Sequence, residues 1–167
     1  QADILTAVAR VFGEGSFAGL NLPSRKSVLD LLTSFGLVDA ALGSLNPAEL
    51  NAVARGFAEL AAITGNDVQR AKALDVLASQ NITARDRLDA ISQAVLRAPP
   101  RSEGLADLIR LATSAINADA ALLNSIPDDI KTNLTGAFVL AAARGNDDAR
   151  AFLTQNVSAE NQIRSAV

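Results

Sequence analysis

Carboxylates, serines, arginines and three lysines are the side chains this sequence offers for chemistry, because Cys, Met, Trp, Tyr and His are all absent. Without His, the usual general base near neutral pH and the commonest transition-metal ligand are missing. Without Cys there is no thiol nucleophile, disulfide framework or thiolate metal site. Paired carboxylates for glycoside hydrolysis are the enzymatic option that this inventory leaves open. Glu occurs only at 14, 49, 59, 103 and 160, and no convergent pair stands out. Glu49 occupies a position where an early acid stabilises a helix, and Glu59 falls off the apolar stripe of that helix. A sugar cleft here would also lack Trp and Tyr to stack on. Serine catalysis has neither a GxSxG elbow nor a His partner. An enzyme using only carboxylates, Ser and Arg therefore ranks last, and the chain reads as non-enzymatic with no cofactor.

Gly13-Glu-Gly15-Ser-Phe-Ala-Gly19 is spaced GxGxxxG and follows a helical pattern, so it does not fit a phosphate-binding loop after a strand. Of the functional readings it fits better as an interaction loop that presents Phe17, Leu20 and Leu22 to a partner or ligand, although the reading favoured over it is a structural one. That favoured reading is that these apolar residues close the end of the first copy's core. Gly65-Asn66-Asp67 and Gly145-Asn146-Asp147 place amides and acids where an anion or Ca²⁺ could be held. The same residue types are what a helix–loop–helix corner needs, and EF-hand spacing is absent, so no metal site is expected. Asn81-Ile-Thr83, Asn133-Leu-Thr135 and Asn156-Val-Ser158 match the N-glycosylation pattern at about the frequency chance gives.

Fifteen basic and eighteen acidic residues leave a net charge of −3 without a basic stripe, which argues against nucleic acid as a partner. The longest uncharged apolar run, 132–143, is too short to span a bilayer and reads as a buried helix. Twelve Arg against three Lys, with abundant Ala, suggests a GC-rich bacterial source. The chain starts at Gln1 and contains no Met, and "QADILTAV" would suit a mature N-terminus left by signal-peptide cleavage. Absence of the oxidisable Cys and Met also suits a location outside the cytoplasm. Export is therefore expected, to the periplasm, cell surface or medium.

The elements that carry these residues repeat. Residues 39–71 and 119–151 share 14 identities in 33 ungapped positions, against roughly 3 by chance in so Ala/Leu-rich a chain. The kept positions include Asp39/Asp119, Pro47/Pro127, Gly56/Gly136 and the two Gly-Asn-Asp corners. Ile4, Ala7, Val8 and Arg10 match Ile91, Ala94, Val95 and Arg97 at a wider offset, the difference lying in the longer first loop. The fold class expected is all-α: a tandem duplication of a multi-helix unit of roughly 80 residues, residues 1–80 and 81–167, packed together as a bundle. Apolar residues at helical spacing mark the helices, notably Val28-Leu29-Leu31-Leu32-Phe35, Leu50-Val53-Phe57-Leu60, Val68-Ala71-Leu74, Leu88-Ile91-Val95, Leu105-Leu108-Ile109-Ala112-Ile116 and Ile130-Leu134-Ala137-Phe138-Ala141. Asp39 is expected to cap a short helix, and Ser158 to begin a final one.

The expected function is an exported structural or interaction protein, specifically a self-assembling surface or filament subunit. Its partner would be further copies of itself, as a homo-oligomer or filament, or another protein. A helical carrier of a small apolar ligand is the alternative, with a cavity on the order of several hundred Å³ lined by Leu, Ile and Phe as its sign.

Overall fold

The computed structural model describes Ala7, Arg10, Val11 and residues 20–156; the expected helix start at Ser158 lies outside them. Every regular element among the described residues is helical. In chain order they are α1 (Leu22–Ser34), α2 (Val38–Gly43), α3 (Pro47–Ile63), α4 (Asp67–Leu77), α5 (Ala84–Arg97), α6 (Leu105–Ala118), α7 (Leu122–Ser125), α8 (Asp128–Ala143) and α9 (Asp147–Asn156). Ala7, Arg10 and Val11 are helical as well.

The helix ends follow from local chemistry. Asn46 caps α3 in a full capping box: its side chain accepts from the Glu49 amide at 3.0 Å, and the Glu49 carboxylate accepts from the Asn46 amide at 2.8 Å. Pro47 sits at the first turn, where its missing N–H is not needed. Thr83 caps α5 by accepting from Asp86 N. Gly36 closes α1 at φ +61° in a Schellman turn, with Gly36 N donating to Thr33 O and Leu37 N to Leu32 O. Gly145 does the same for α8 at φ +96°, through bonds to Ala142 O and Asn146 N to Ala141 O. Asn66 and Asn146 then cap α4 and α9 by accepting from Gln69 N and Ala149 N. Asp39 is not the cap of α2. Leu37 holds that position, and the Asp39 carboxylate accepts from Ser79 Oγ at 2.8 Å instead. Asp39 stays in the first turn of α2 as its acidic residue.

One apolar cluster runs from Leu29 to Leu153, so both halves of the chain share a core. Helix α5 lies at its centre, packed against α3 on one side and α8 on the other. Its Leu88, Ile91 and Val95 are fully buried, as their spacing requires. Phe57 of α3 is also fully buried, and Phe138 of α8 packs its ring on Phe152 of α9 at a centroid distance of 4.2 Å. Two stripes differ from expectation. Helix α4 buries Ala73, Val76 and Leu77, whereas Val68 is 65% exposed. Lys72 and Asp75 share the Val68 side of α4, which stays outward, and Arg70 reaches Asp107 of α6 while Lys72 reaches Asp30 of α1. On α1, Leu29 and Leu32 are buried while Leu31 and Phe35 remain 38% and 50% exposed.

Candidate functional site

The residues proposed from sequence for a partner or ligand are placed only in part. Phe17 lies outside the described residues, as does the side chain of Leu22, whose backbone begins α1. Leu20 is half-buried against the core, and its carbonyl accepts from Arg25 Nε at 3.0 Å.

The richest polar constellation lies elsewhere, where the start of α3 meets α5 and α8. A cleft of about 790 Å³ there is lined by Asn51, Arg55, Asp86, Asp89, Gln93 and Asn133, among others. Asp89 is 5% exposed although it is charged. Its carboxylate accepts from Arg55 Nη2 at 2.8 Å and Nε at 3.3 Å, from Gln93 Nε2 at 2.9 Å and from Asn51 Nδ2 at 3.4 Å. Burial alone would raise its pKa, but those hydrogen bonds and the Arg55 charge outweigh burial and hold it below the ordinary aspartate value. It is therefore an anion at neutral pH, with Oδ2 accepting from Arg55 and Asn51 and Oδ1 accepting from Gln93.

A second polar centre lies on the seam between the halves. Arg70, with a 12% exposed side chain, pairs with Asp67 on its own helix. It also reaches Asp107 at 3.2 Å and Glu103 at 3.5 Å from the other half. Beside it, Gly104 lies so close to α3 that a Cβ there would stand 1.8 Å from Ala61 O. Arg87 binds the connection between the halves, donating to the carbonyls of Leu77, Ser79 and Ile82. Burial lowers its pKa.

A further cleft of about 710 Å³, beside α2 and the end of α4, is lined in part by Asp39, Lys72, Asp75 and Asn81. Apolar residues in the linings are Ile130 with Pro47 and Ala48 in the first cleft and Val38 with Val76 and Ala78 in the second. Among the described residues there is no cluster of three or more potential metal ligands, and no helix is long and apolar enough to cross a membrane.

The Asp89 cluster was missed from sequence because its members come from elements far apart in the chain. One signal was present: Asp89 interrupts the buried run Leu88-Asp89-Ala90-Ile91, where an acid requires a partner. Neither a protein-family model, a curated protein nor a solved structure matches this chain.

Proposed function

We propose that this chain is a non-enzymatic structural protein, built from two copies of one helical unit, that works by associating with further copies of itself outside the cytoplasm. The observation that carries the reading is the seam. The contact between the halves packs α3 on α5 in one shared core, lays a glycine on the α3 backbone and shares an arginine among carboxylates from both sides. Such a contact needs shape and charge but no catalytic group, and a unit that packs on its own repeat can pack on another molecule's.

Corresponding details support the duplication. Thr33 and Thr113, 80 positions apart, each donate to the carbonyl four residues back, Leu29 O and Ile109 O, at 2.8 and 3.1 Å. Asn66 and Asn146 make the same cap bond, and Arg70 and Arg150 each pair with the aspartate three residues before. Helices α3 and α4 correspond to α8 and α9 in order and length to within one residue. The corners are not identical: Gly145 is left-handed and Gly65 is not. The fixed Asp89 carboxylate supports the non-enzymatic part, and the lack of Cys and Met supports a place outside the cytoplasm.

Sedimentation velocity over a wide concentration range, with negative-stain images, tests self-association. A mass that rises with concentration is expected. A monomer throughout would refute the reading.

A further inference from the structure

Helices α3 and α5 do not close completely on one another. Where Gly56 faces Ala90 and Ala94 there is little side-chain bulk, and a hollow of about 210 Å³ remains between these helices and the start of α1. Its floor is apolar, and all three of these residues are buried. Its walls are polar. Arg25 of α1, Arg55 of α3 and Arg97 of α5 line it together with the Gln93 amide, and Glu59 is the one carboxylate in the lining. Ala90, Gln93, Ala94 and Arg97 share one side of α5 because they recur at three- and four-residue steps.

Charge around the hollow does not balance. Arg25, whose side chain is 11% exposed, pairs with Glu59 at 2.5 Å and donates from Nε to Leu20 O. Arg55 directs Nε and Nη2 to Asp89, and its Nη1 has no hydrogen bond among the described residues. Arg97 is exposed and has no ion pair among the described residues. With Asp89 counted, one positive charge is left over, in a chain whose net charge is −3.

Packing does not account for these charges. Resting on the duplication proposed above, Arg25, Arg55 and Glu59 correspond to Leu105, Thr135 and Val139, whereas Gly56 corresponds to Gly136. Leu105 and Val139 contribute to the apolar core. Arg25 is withdrawn from water at a cost that apolar residues avoid, and replacing buried ion pairs by apolar residues is often neutral or stabilising. The first half therefore keeps charge at places where the second half manages without it.

We infer that the hollow binds a small anion whose charge is shared by two or more oxygens, either an inorganic oxyanion or a short carboxylate. The exposed guanidiniums of Arg55 and Arg97 supply N–H donors to such oxygens, and the deeper Arg25 adds positive charge where water screens it less. Arg25 also holds the Glu59 carboxylate, which limits its repulsion of the ligand. The floor of Gly56, Ala90 and Ala94 offers no side-chain acceptor to oppose an anion. A hollow below the roughly 300 Å³ of pockets for larger organic ligands restricts the ligand to a small number of heavy atoms.

Isothermal titration calorimetry of the whole chain at pH 7 tests the site, with phosphate and succinate titrated separately into sodium chloride at constant ionic strength, so that screening alone is held fixed. Saturable one-to-one binding of at least one anion is expected, with a Kd on the order of 1 mM or tighter. Binding of phosphate alone would identify the inorganic oxyanion, binding of succinate alone the carboxylate, and binding of both their shared chemistry. Arg97→Gln should weaken the binding at least roughly tenfold. Arg101→Gln removes the same charge from an exposed position outside the lining and should leave the binding unchanged. Both substitutions fall on exposed side chains, and circular dichroism establishes that each variant is folded. Absence of saturable heat with either anion would overturn the proposal, as would binding that survives Arg97→Gln or falls equally in Arg101→Gln. A monomeric chain that binds the anion would leave this site standing and remove only the self-association reading.

Discussion

Replacing Gly104 with Ala probes the closest approach in the seam. The backbone there is ordinary, at φ −74° and ψ −9°, so alanine meets no conformational obstacle. The obstacle is space. The new Cβ would lie 1.8 Å from Ala61 O, 2.8 Å from Ala61 C and 3.0 Å from Ala62 Cα. Carbon–oxygen contacts settle near 3.3 Å, so α6 must withdraw from α3 by about 1.5 Å. The clashing atoms belong to a helix backbone and cannot swing aside as a side-chain end would. Overpacking of this kind costs about 1–3 kcal/mol, and the rigidity of both partners puts Gly104→Ala at the upper end. Loss of unfolded-state freedom returns roughly 0.4–1 kcal/mol, leaving a net destabilisation of about 2 kcal/mol. For a chain of this size that lowers Tm by about 4–8 °C. Gly65→Ala is the control: no heavy atom lies within 4 Å of its added Cβ. It should stay within about 0.5 kcal/mol of the unaltered chain in urea unfolding. If Gly104→Ala melts with Gly65→Ala, the halves are not in backbone contact and the account of the seam fails.

Gly36→Ala should cost about 1–2 kcal/mol despite open space around it, because φ is +61° there; equal urea midpoints for it and the unaltered chain would contradict the Schellman turn. Arg87→Ala removes the guanidinium from three carbonyls, of which Ser79 O keeps the Ile82 amide, and should cost about 1–3 kcal/mol, with Arg87→Lys recovering only part because an ammonium lacks the planar fork; full recovery by Lys would show that charge alone matters. Asp89 has a folded-state pKa below its unfolded value, so its contribution is present at neutral pH and is lost as pH falls past the ordinary aspartate pKa toward the folded one. Asp89→Asn should therefore be less stable than the unaltered chain at pH 7 in urea unfolding, with the gap narrowing in that acidic window; a gap independent of pH would refute the ionised, bonded carboxylate.

Where local chemistry decides, residues announced the structure. The Asn46-Pro47-Glu49 start, the Gly36 and Gly145 stops and the stripes of α5, α6 and α8 needed only spacing and cap types, because each is settled within a turn or two of chain. Rotation of α4 could not be read that way. Val68, Leu74, Val76 and Leu77 leave several faces apolar; the Val68 side, which Lys72 and Asp75 share, stays outward, and Arg70 and Lys72 find acids on α6 and α1. The Asp89 cluster was hidden for the same reason: Asn51 and Arg55 are separated from it by more than thirty residues, and nothing local requires them to meet.

The same division explains where the two halves agree and where they part. Caps agree, since Asn66 or Asn146 answers to its own helix end in either half. Helix faces differ, since a face answers to whatever lies opposite. Arg55 of α3 faces Asp89 of α5, and at the corresponding place on α8 the residue is Thr135, whose hydroxyl turns back to Lys131 O. At the seam a largely buried Arg70 pairs with acids that stay partly exposed, and the chain holds both partners at fixed separation.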